Sequence, residues 1–133
     1  MQVKIDTKEK FYVITVKESR LSADMTDDLY NLLLPYLQND GSQKNTGIRN
    51  IVLNLKDLQL LDIPAAEIIV KVQQKFYENG ASFIICEIQP AVERFLDEND
   101  LLEMMNTTPT ESEAGDILQM EEMERELLDG DQL

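Results

Sequence analysis

The residues best suited to do chemistry lie in the junction 60–65, which reads Leu-Leu-Asp-Ile-Pro-Ala and places Asp62 two residues before Pro64. Proline is well tolerated in the first turn of a helix, because the N–H group that it lacks would have no intrahelical partner there. An upstream carboxylate can accept hydrogen bonds from the free N–H groups and is stabilised by the helix dipole. The junction therefore predicts a helix start. Asp62 is interpreted as its cap, with recognition of a partner as the alternative.

The residue types that most enzymes use are scarce. The chain has no histidine, which excludes histidine acid–base catalysis and histidine–metal sites. Its single cysteine, Cys86, lies among isoleucines and is interpreted as a buried hydrophobe rather than a reactive thiol. No glycine-rich phosphate loop, Gly-x-Ser-x-Gly turn or calcium-loop spacing is present. We therefore expect a protein that is not an enzyme and needs no cofactor or metal; a carboxylate enzyme using a divalent cation stays as an alternative.

The charge balance argues against two classes of partner. The chain has 26 acidic and 12 basic residues and a formal charge of −14. Nucleic acids and anionic membranes are bound by clustered Lys and Arg, so we expect neither as a partner. No apolar run approaches the ~20 residues of a membrane helix. A charged N-terminus unlike a signal peptide, and one cysteine that cannot form an internal disulfide, favour the cytoplasm.

The elements around the junction predict a strand that turns into a helix. The apolar, β-branched run 51–55 predicts a buried strand, and Asn79-Gly80 predicts the end of the helix. Binding sites on α/β folds commonly lie where a strand passes into a helix. We therefore expect residues 60–65, called the elbow below, to be presented at the sheet edge. The apolar face of the helix comprises Ala65, Ile68, Ile69, Val72 and Phe76.

The segments before this unit predict a hairpin, a helix and a loop. The runs 2–7 and 11–16 alternate or are rich in β-branched residues, which favours paired strands. A helix is predicted over 24–38, with a kink or early end at Pro35. Residues 39–49 have loop composition.

The segments after it predict one more buried strand and two helices. The strand covers 82–88, a short helix starts at Pro90, and the apolar residues of 101–105 return to the core. Thr110 and Glu113 are spaced as a capping box for a final helix. The element order β-β-α-β-α-β-α-α predicts an α/β domain: a mixed four- to five-stranded sheet with an N-terminal hairpin and helices packed against it.

A change in charge divides the chain. Residues 1–96 carry 13 acidic and 11 basic residues, whereas 97–133 carry 13 acidic residues and Arg125 alone as a base. We expect one domain over 1–120 and an acidic C-terminal extension over 121–133 that projects from it.

The element order and the elbow resemble the STAS domain of bacterial anti-sigma-factor antagonists. In that family an apolar strand ends in Asp, Asp-Ser-Ser-Gly then opens a helix, and a Gly-containing turn precedes another strand. Here strand 51–55, Asp62-Ile63-Pro64-Ala65 and Gly80 occupy those places. Arg20-Leu21 matches the Gly-x-Leu before the first helix in part, and Glu113-Ala114 looks like the final-helix motif. The resemblance covers roughly residues 3 to 120.

The chain departs from the family pattern at the residue that is modified. In typical members the second Ser of the motif is phosphorylated by the partner kinase, the anti-sigma factor, and this releases the antagonist. The matching residue here is Pro64, which has no hydroxyl, so the resemblance implies a protein without this switch. Ser19, Ser22 or Thr26 could replace the missing phosphosite, and the sequence leaves that open. The family's strand-end Asp corresponds to Asn54, interpreted as an ordinary strand-end residue, with orientation of the next loop as the alternative.

The resemblance implies a non-enzymatic protein-interaction module that regulates transcription. It would bind an anti-sigma factor or related regulatory protein, sequester it and free a sigma factor. The alternative is a structural or scaffold subunit of a larger complex, transport-linked or self-associating; the oligomeric state is left open. Within the elbow we expect Leu61 to lie in the core and Ile63 on the surface. The expected partner-binding residues are Arg20, Leu21, Lys56, Asp62, Ile63, Pro64 and Ala65.

Overall fold

The computed structural model describes residues 1–38 and 47–131, so most of the predicted loop 39–49 lies outside the described residues. Its strands form one main sheet and one small sheet. In chain order they are β1 (Val3–Thr7), β2 (Tyr12–Val16), β3 (Arg20–Leu21), β4 (Ile51–Asn54), β5 (Leu60–Leu61), β6 (Phe83–Cys86) and β7 (Thr107–Thr108). The main sheet has the order β1-β2-β4-β6-β7, and β3 pairs with β5 separately.

The α-helices alternate with these strands, as predicted. They are α1 (Thr26–Leu33), α2 (Ile63–Glu78), α3 (Pro90–Glu98) and α4 (Glu111–Asp131), and short 3-10 segments cover Ala23–Met25, Leu34–Gln38 and Leu102–Met104. Pro35 lies in the 3-10 segment that replaces the end of the predicted helix 24–38. This confirms the expected early end, which follows from the N–H group that proline lacks.

The expected α/β fold with a mixed sheet and an N-terminal hairpin is confirmed. Strands β1 and β2 are antiparallel, while β2, β4, β6 and β7 are mutually parallel. All four residues of β4 and of β6 are buried, as is typical of parallel strands covered on both faces. The glycine at the predicted end of α2, Gly80, has φ of 72°, a left-handed conformation that glycine adopts without strain.

Alternate residues of the central strands point to opposite sides of the sheet. Ile51, Leu53 and Phe83 belong to the larger apolar cluster, which also holds the buried residues of α1, α2 and α3. Val52 and Ile84 belong to a smaller cluster with residues of α4. The sheet therefore lies between a three-helix layer and a single long helix.

One detail of the core differs from the prediction. Met104 was expected to pack in the core but is exposed, whereas Leu101 and Met105 are buried. The 3-10 turn after Leu101 directs Met104 outward.

Helix α4 continues without interruption past residue 120, the predicted boundary between the domain and its acidic extension. This boundary therefore does not coincide with a helix end, and the division into a domain and an extension remains a prediction.

Candidate partner-binding site

Asp62 joins the start of α2 to the segment before α1. One carboxylate oxygen, Oδ1, accepts a hydrogen bond from the backbone N–H of Ala65 at 3.0 Å. The other, Oδ2, accepts from the backbone N–H of Ala23 at 2.8 Å. The cap interpretation is therefore confirmed. Because both oxygens already accept N–H groups, the side chain positions two segments of this site.

The small sheet brings a distant stretch of chain beside the elbow. Strands β3 and β5 run parallel, with Arg20 opposite Leu60 and Leu21 opposite Leu61. The backbone N–H groups of Leu60 and Asp62 donate to carbonyl oxygens of the β3 segment at 3.0 and 3.1 Å. This pairing is not predictable from the sequence, because a two-residue strand is too short to show any periodicity.

The elbow is only partly exposed. Leu60 is 67% exposed. Ile63 is 42% exposed and Leu61 is buried, and both agree with the prediction. Pro64 is exposed as well. Two expected partner-binding residues, Leu21 and Ala65, are each 1% exposed. The expectation that they contact a partner directly is corrected: in this fold they lie beneath the surface and support it.

A groove of about 360 Å³ lies next to the elbow. Its walls come from the two short strands and from α3, and most of its lining residues are apolar. Three lining residues of α3 were not predicted, because only the tertiary fold brings that helix to the elbow. The lining residues are Arg20, Leu21, Ser22, Gln59, Leu60, Leu61, Asp62, Ala91, Val92 and Phe95.

A polar group forms one side of the groove. Arg20 Nη1 donates to Ser22 Oγ at 3.1 Å, and Ser22 Oγ donates to the Asp24 carboxylate. The hydrogen bond from Ser22 holds the pKa of Asp24 below its ordinary value. Desolvation opposes it, whereas the Asp24 backbone N–H and the charge of Arg20 lower the pKa further. Of the hydroxyls considered in place of the family phosphosite, Ser22 lines the groove, whereas Thr26 Oγ1 donates to the Ala23 carbonyl at 2.9 Å.

Lys56 is exposed on the loop after β4 and does not line the groove. This loop is held by Asn54, whose Oδ1 accepts from the Lys56 N–H at 2.9 Å and whose Nδ2 donates to Glu111 Oε1 at 2.9 Å. Gln89 Nε2 donates to the Lys56 carbonyl at 2.5 Å. Asn54 therefore orients the next loop. The alternative role predicted for Asn54 is therefore the correct one.

The single cysteine is buried away from this site. Burial, together with the nearby charges of Glu111 and Glu87, raises the pKa of Cys86 to about 12, so the thiol stays neutral. The interpretation of Cys86 as a buried hydrophobe is confirmed. Within residues 1–38 and 47–131, no three Cys, Asp or Glu side chains are grouped so that they could hold a metal ion. None of the helices in the described part of the chain combines the length and apolar character needed to span a membrane.

The strand order and the helices on both sides of the sheet define a single domain of the α/β class. A family model for the STAS domain matches residues 2–114. The chain therefore belongs to the STAS domain family, and the resemblance stated from the sequence is confirmed.

Similar proteins are named as anti-sigma factor antagonists. The anti-sigma F factor antagonist of Paenibacillus polymyxa is 26% identical over 105 residues, which cover 79% of this chain and 86% of that protein. An anti-sigma factor antagonist from Mycobacterium paratuberculosis has the same fold, with a TM-score of 0.72, 14% identity and coverage of 89% and 93%. Unphosphorylated SpoIIAA of Bacillus also has this fold, with a TM-score of 0.65 and 15% sequence identity. The match covers 89% of this chain and 96% of that chain. The chain is thus an STAS domain similar to anti-sigma factor antagonists.

Proposed function

We propose that this chain is a cytoplasmic, non-enzymatic regulator that binds an anti-sigma factor-type protein through the exposed part of the elbow. Leu60, Ile63 and Pro64 would make the central contact, and Arg20 would lie at its rim. Binding sequesters the partner and frees a sigma factor. The observation that carries the proposal is a pair of exposed apolar side chains beside an apolar groove, in a chain similar to a named anti-sigma F factor antagonist.

Physical chemistry favours this surface for protein recognition. Interface cores favour apolar side chains and Arg over carboxylates and Lys. Leu60 and Ile63 stand on a rigid base, because Asp62 caps α2 and the backbone of β5 is hydrogen-bonded to β3. A rigid base reduces the entropy lost on binding.

The proposal includes binding without the serine switch of the family. Pro64 occupies the position that corresponds to the phosphorylated Ser and offers no hydroxyl. The partner's kinase activity, if it has any, would therefore not release this chain through that position. Control would come from the amount of either protein or from another site.

The direct test uses purified kinase-like anti-sigma factors encoded by the same genome, titrated calorimetrically with the full chain. Ile63→Arg and Leu60→Glu should each weaken binding by about tenfold or more, as for a central contact residue. Ile5→Arg is the matched control, because Ile5 is 45% exposed but lies on the edge strand β1 away from the groove. Binding to no anti-sigma factor, or equal binding by all three variants, would remove the proposal.

A second experiment tests whether the chain lacks the family's serine phosphorylation switch. The chain is incubated with a bound kinase-like partner and ATP, and phosphate incorporation is measured by mass spectrometry. The wild type should take up no phosphate at the elbow, whereas Pro64→Ser supplies a hydroxyl there and can be modified. Phosphate found on Ser22 or Ser19 of the wild type would contradict unswitched binding while leaving the binding surface intact.

A further inference from the structure

The second half of α4 is attached to the domain by polar side chains. Glu121 Oε1 accepts from the Tyr77 hydroxyl at 2.8 Å and from Ser82 Oγ at 2.6 Å. Burial and the hydrogen bond to Glu121 raise the pKa of Tyr77 to about 12, so its hydroxyl stays a donor. The inward side of this turn is therefore occupied by an acid rather than by an apolar residue.

A second polar contact begins at the next residue, Glu122, and includes Arg125 one turn further on. Asn50 Nδ2 donates to Glu122 Oε2 at 3.0 Å, and Arg125 Nη2 donates to both Glu122 Oε2 at 2.7 Å and Asn50 Oδ1 at 3.2 Å. Lys10 and Glu126 form an ion pair at 3.7 Å. Through these contacts the helix remains on the domain well beyond residue 120.

The polar inner side leaves apolar residues on the outer side. Met120, Met123 and Leu127 are spaced three and four residues apart, which places them on one face of the helix. They and Leu128 are 61–63% exposed, and Ile117 is 38% exposed. This pattern reverses the usual arrangement of a surface helix, whose apolar stripe faces the core. The outer face below means Ile117, Met120, Met123, Leu127 and Leu128.

The charges around the outer face select its partner. Asp116 and Glu124 are exposed and lie between its apolar residues at helical spacing. Arg125, the single base of residues 97–133, is engaged with Glu122 on the inner side. A second copy would bring acidic residues against acidic residues, which is unfavourable. A segment with apolar side chains flanked by Lys and Arg complements both the shape and the charge.

We propose that the outer face of α4 is a docking surface for a basic amphipathic segment of a partner protein. Methionines suit such a role, because the unbranched thioether side chain adapts to different partner side chains. Tethering by Glu121, Glu122 and Arg125 keeps the helix formed before binding, which lowers the entropy cost of association. This surface is separate from the elbow, because α4 packs on the opposite side of the sheet from α2 and α3.

The test uses two labelled peptides of identical composition. In one, leucines form one face of a helix and lysines the rest; in the other, the order is scrambled so that the faces disappear. Fluorescence anisotropy with the full chain should give at least about tenfold tighter binding of the amphipathic peptide, since apolar contact adds to charge attraction. Equal binding of both peptides means charge attraction alone and overturns the proposal.

Charge-neutral variants locate the contact. Met120→Gln with Leu127→Gln should abolish the preference for the amphipathic peptide, and Met123→Gln provides a second variant. Met104→Gln is the matched control, because it removes an exposed methionine from a different part of the surface. Circular dichroism verifies that the helix is retained. An unchanged preference in the α4 variants, or its loss in the Met104 control, overturns the proposal.

Two further measurements separate this inference from its rivals. Ile63→Arg should leave peptide binding unchanged, so failure at the elbow and failure at α4 are distinguishable. Light scattering should show that the outer face does not join two copies. A homodimer that Met120→Gln with Leu127→Gln converts to monomer would assign the face to self-association and overturn the proposal.

Discussion

The start of α2 and the second half of α4 both present apolar side chains to solvent, but different interactions hold them in place. The elbow belongs to a helix with a continuous apolar inner face that is buried in the larger cluster. The second half of α4 is held by hydrogen bonds of Glu121, Glu122 and Arg125.

This difference shows how a helix comes to expose apolar residues. On α2 a few exposed apolar residues remain at the helix start, next to a groove, while the rest of the apolar face is buried. On α4 a polar inner surface makes an apolar outer surface possible. Burial contributes kilocalories per side chain, whereas exposed or half-exposed polar contacts contribute about 1 kcal/mol or less. The two regions should therefore differ in how strongly they respond to substitution.

The largest expected effect is in the core beneath α2. Phe76 is fully buried and packs edge-on against Phe83 with ring centroids 5.2 Å apart. Phe76→Ala should lower the free energy of unfolding by about 3–5 kcal/mol, because it leaves a large cavity. Urea denaturation followed by circular dichroism measures the change. A decrease in the free energy of unfolding below about 1 kcal/mol would mean that the packing of α2 on the sheet contributes little to stability.

A smaller effect is expected in the apolar part of α4. Leu118 is fully buried in the smaller cluster, so Leu118→Ala should cost about 2–4 kcal/mol. Leu127→Ala is the matched control on the same helix, because Leu127 is exposed and its truncation should change stability by less than about 0.5 kcal/mol. Equal losses in the same urea experiment would show that the outer face is buried in solution.

Removal of the cap at the elbow comes next. Asp62→Ala loses hydrogen bonds from the N–H groups of Ala65 and Ala23, and should cost about 1–2 kcal/mol. Asp27→Ala, in the first turn of α1, tests loss of charge near a helix start and should cost only a few tenths of a kcal/mol. Hydrogen exchange of the first turn of α2 should accelerate in the Asp62 variant alone. Equal acceleration in both variants would contradict the positioning role of Asp62.

The smallest effect concerns the polar contacts of α4 and depends on pH. Burial raises the pKa of Glu122, but hydrogen bonds from Asn50 and Arg125 and the charges of Arg125 and Lys10 outweigh it and lower the pKa below its ordinary value. A carboxyl whose pKa is lower in the folded state stabilises the fold above its unfolded pKa of about 4.3, and this contribution disappears as the pH falls through the folded value. Glu122→Gln should therefore cost less than about 1 kcal/mol at pH 7 and still less in acid.

Thermal or urea unfolding at neutral and acid pH measures this difference. Glu124→Gln is the control, because Glu124 is exposed on the outer side of the same helix and its substitution should change stability by less than about 0.5 kcal/mol. If Glu122→Gln were as costly in acid as at pH 7, the ionised contact would not be what holds this turn.

Much of the fold was predictable, because its signals are local. The buried runs of β4 and β6, the proline and carboxylate at the start of α2 and the Asn-Gly stop after it each carry their own physical reason within a few residues. The Thr110 hydroxyl likewise accepts from the Glu113 N–H at 3.1 Å, the first half of the predicted capping box.

The site was less predictable, because contacts between distant segments build it. Arg20 pairs with Leu60, which lies 40 residues later in the chain. Helix α3 forms one wall of the groove, and nothing in the sequence near the elbow predicts that contact. The same holds for Leu21 and Ala65, which were expected at the surface and are buried.

The sequence by itself specifies an α/β domain with an elbow at Asp62, an acidic C-terminal third and no hydroxyl at position 64. Periodicity, capping and charge act over a few residues and can be read directly. Only the tertiary structure decided that Leu21 and Ala65 are buried, that α3 forms a groove with the elbow, and that α4 turns Glu121 and Glu122 inward and its methionines outward. Those outcomes depend on how the helices pack on the two sides of the sheet, because this packing decides which side chains are buried. No local sequence pattern specifies that packing.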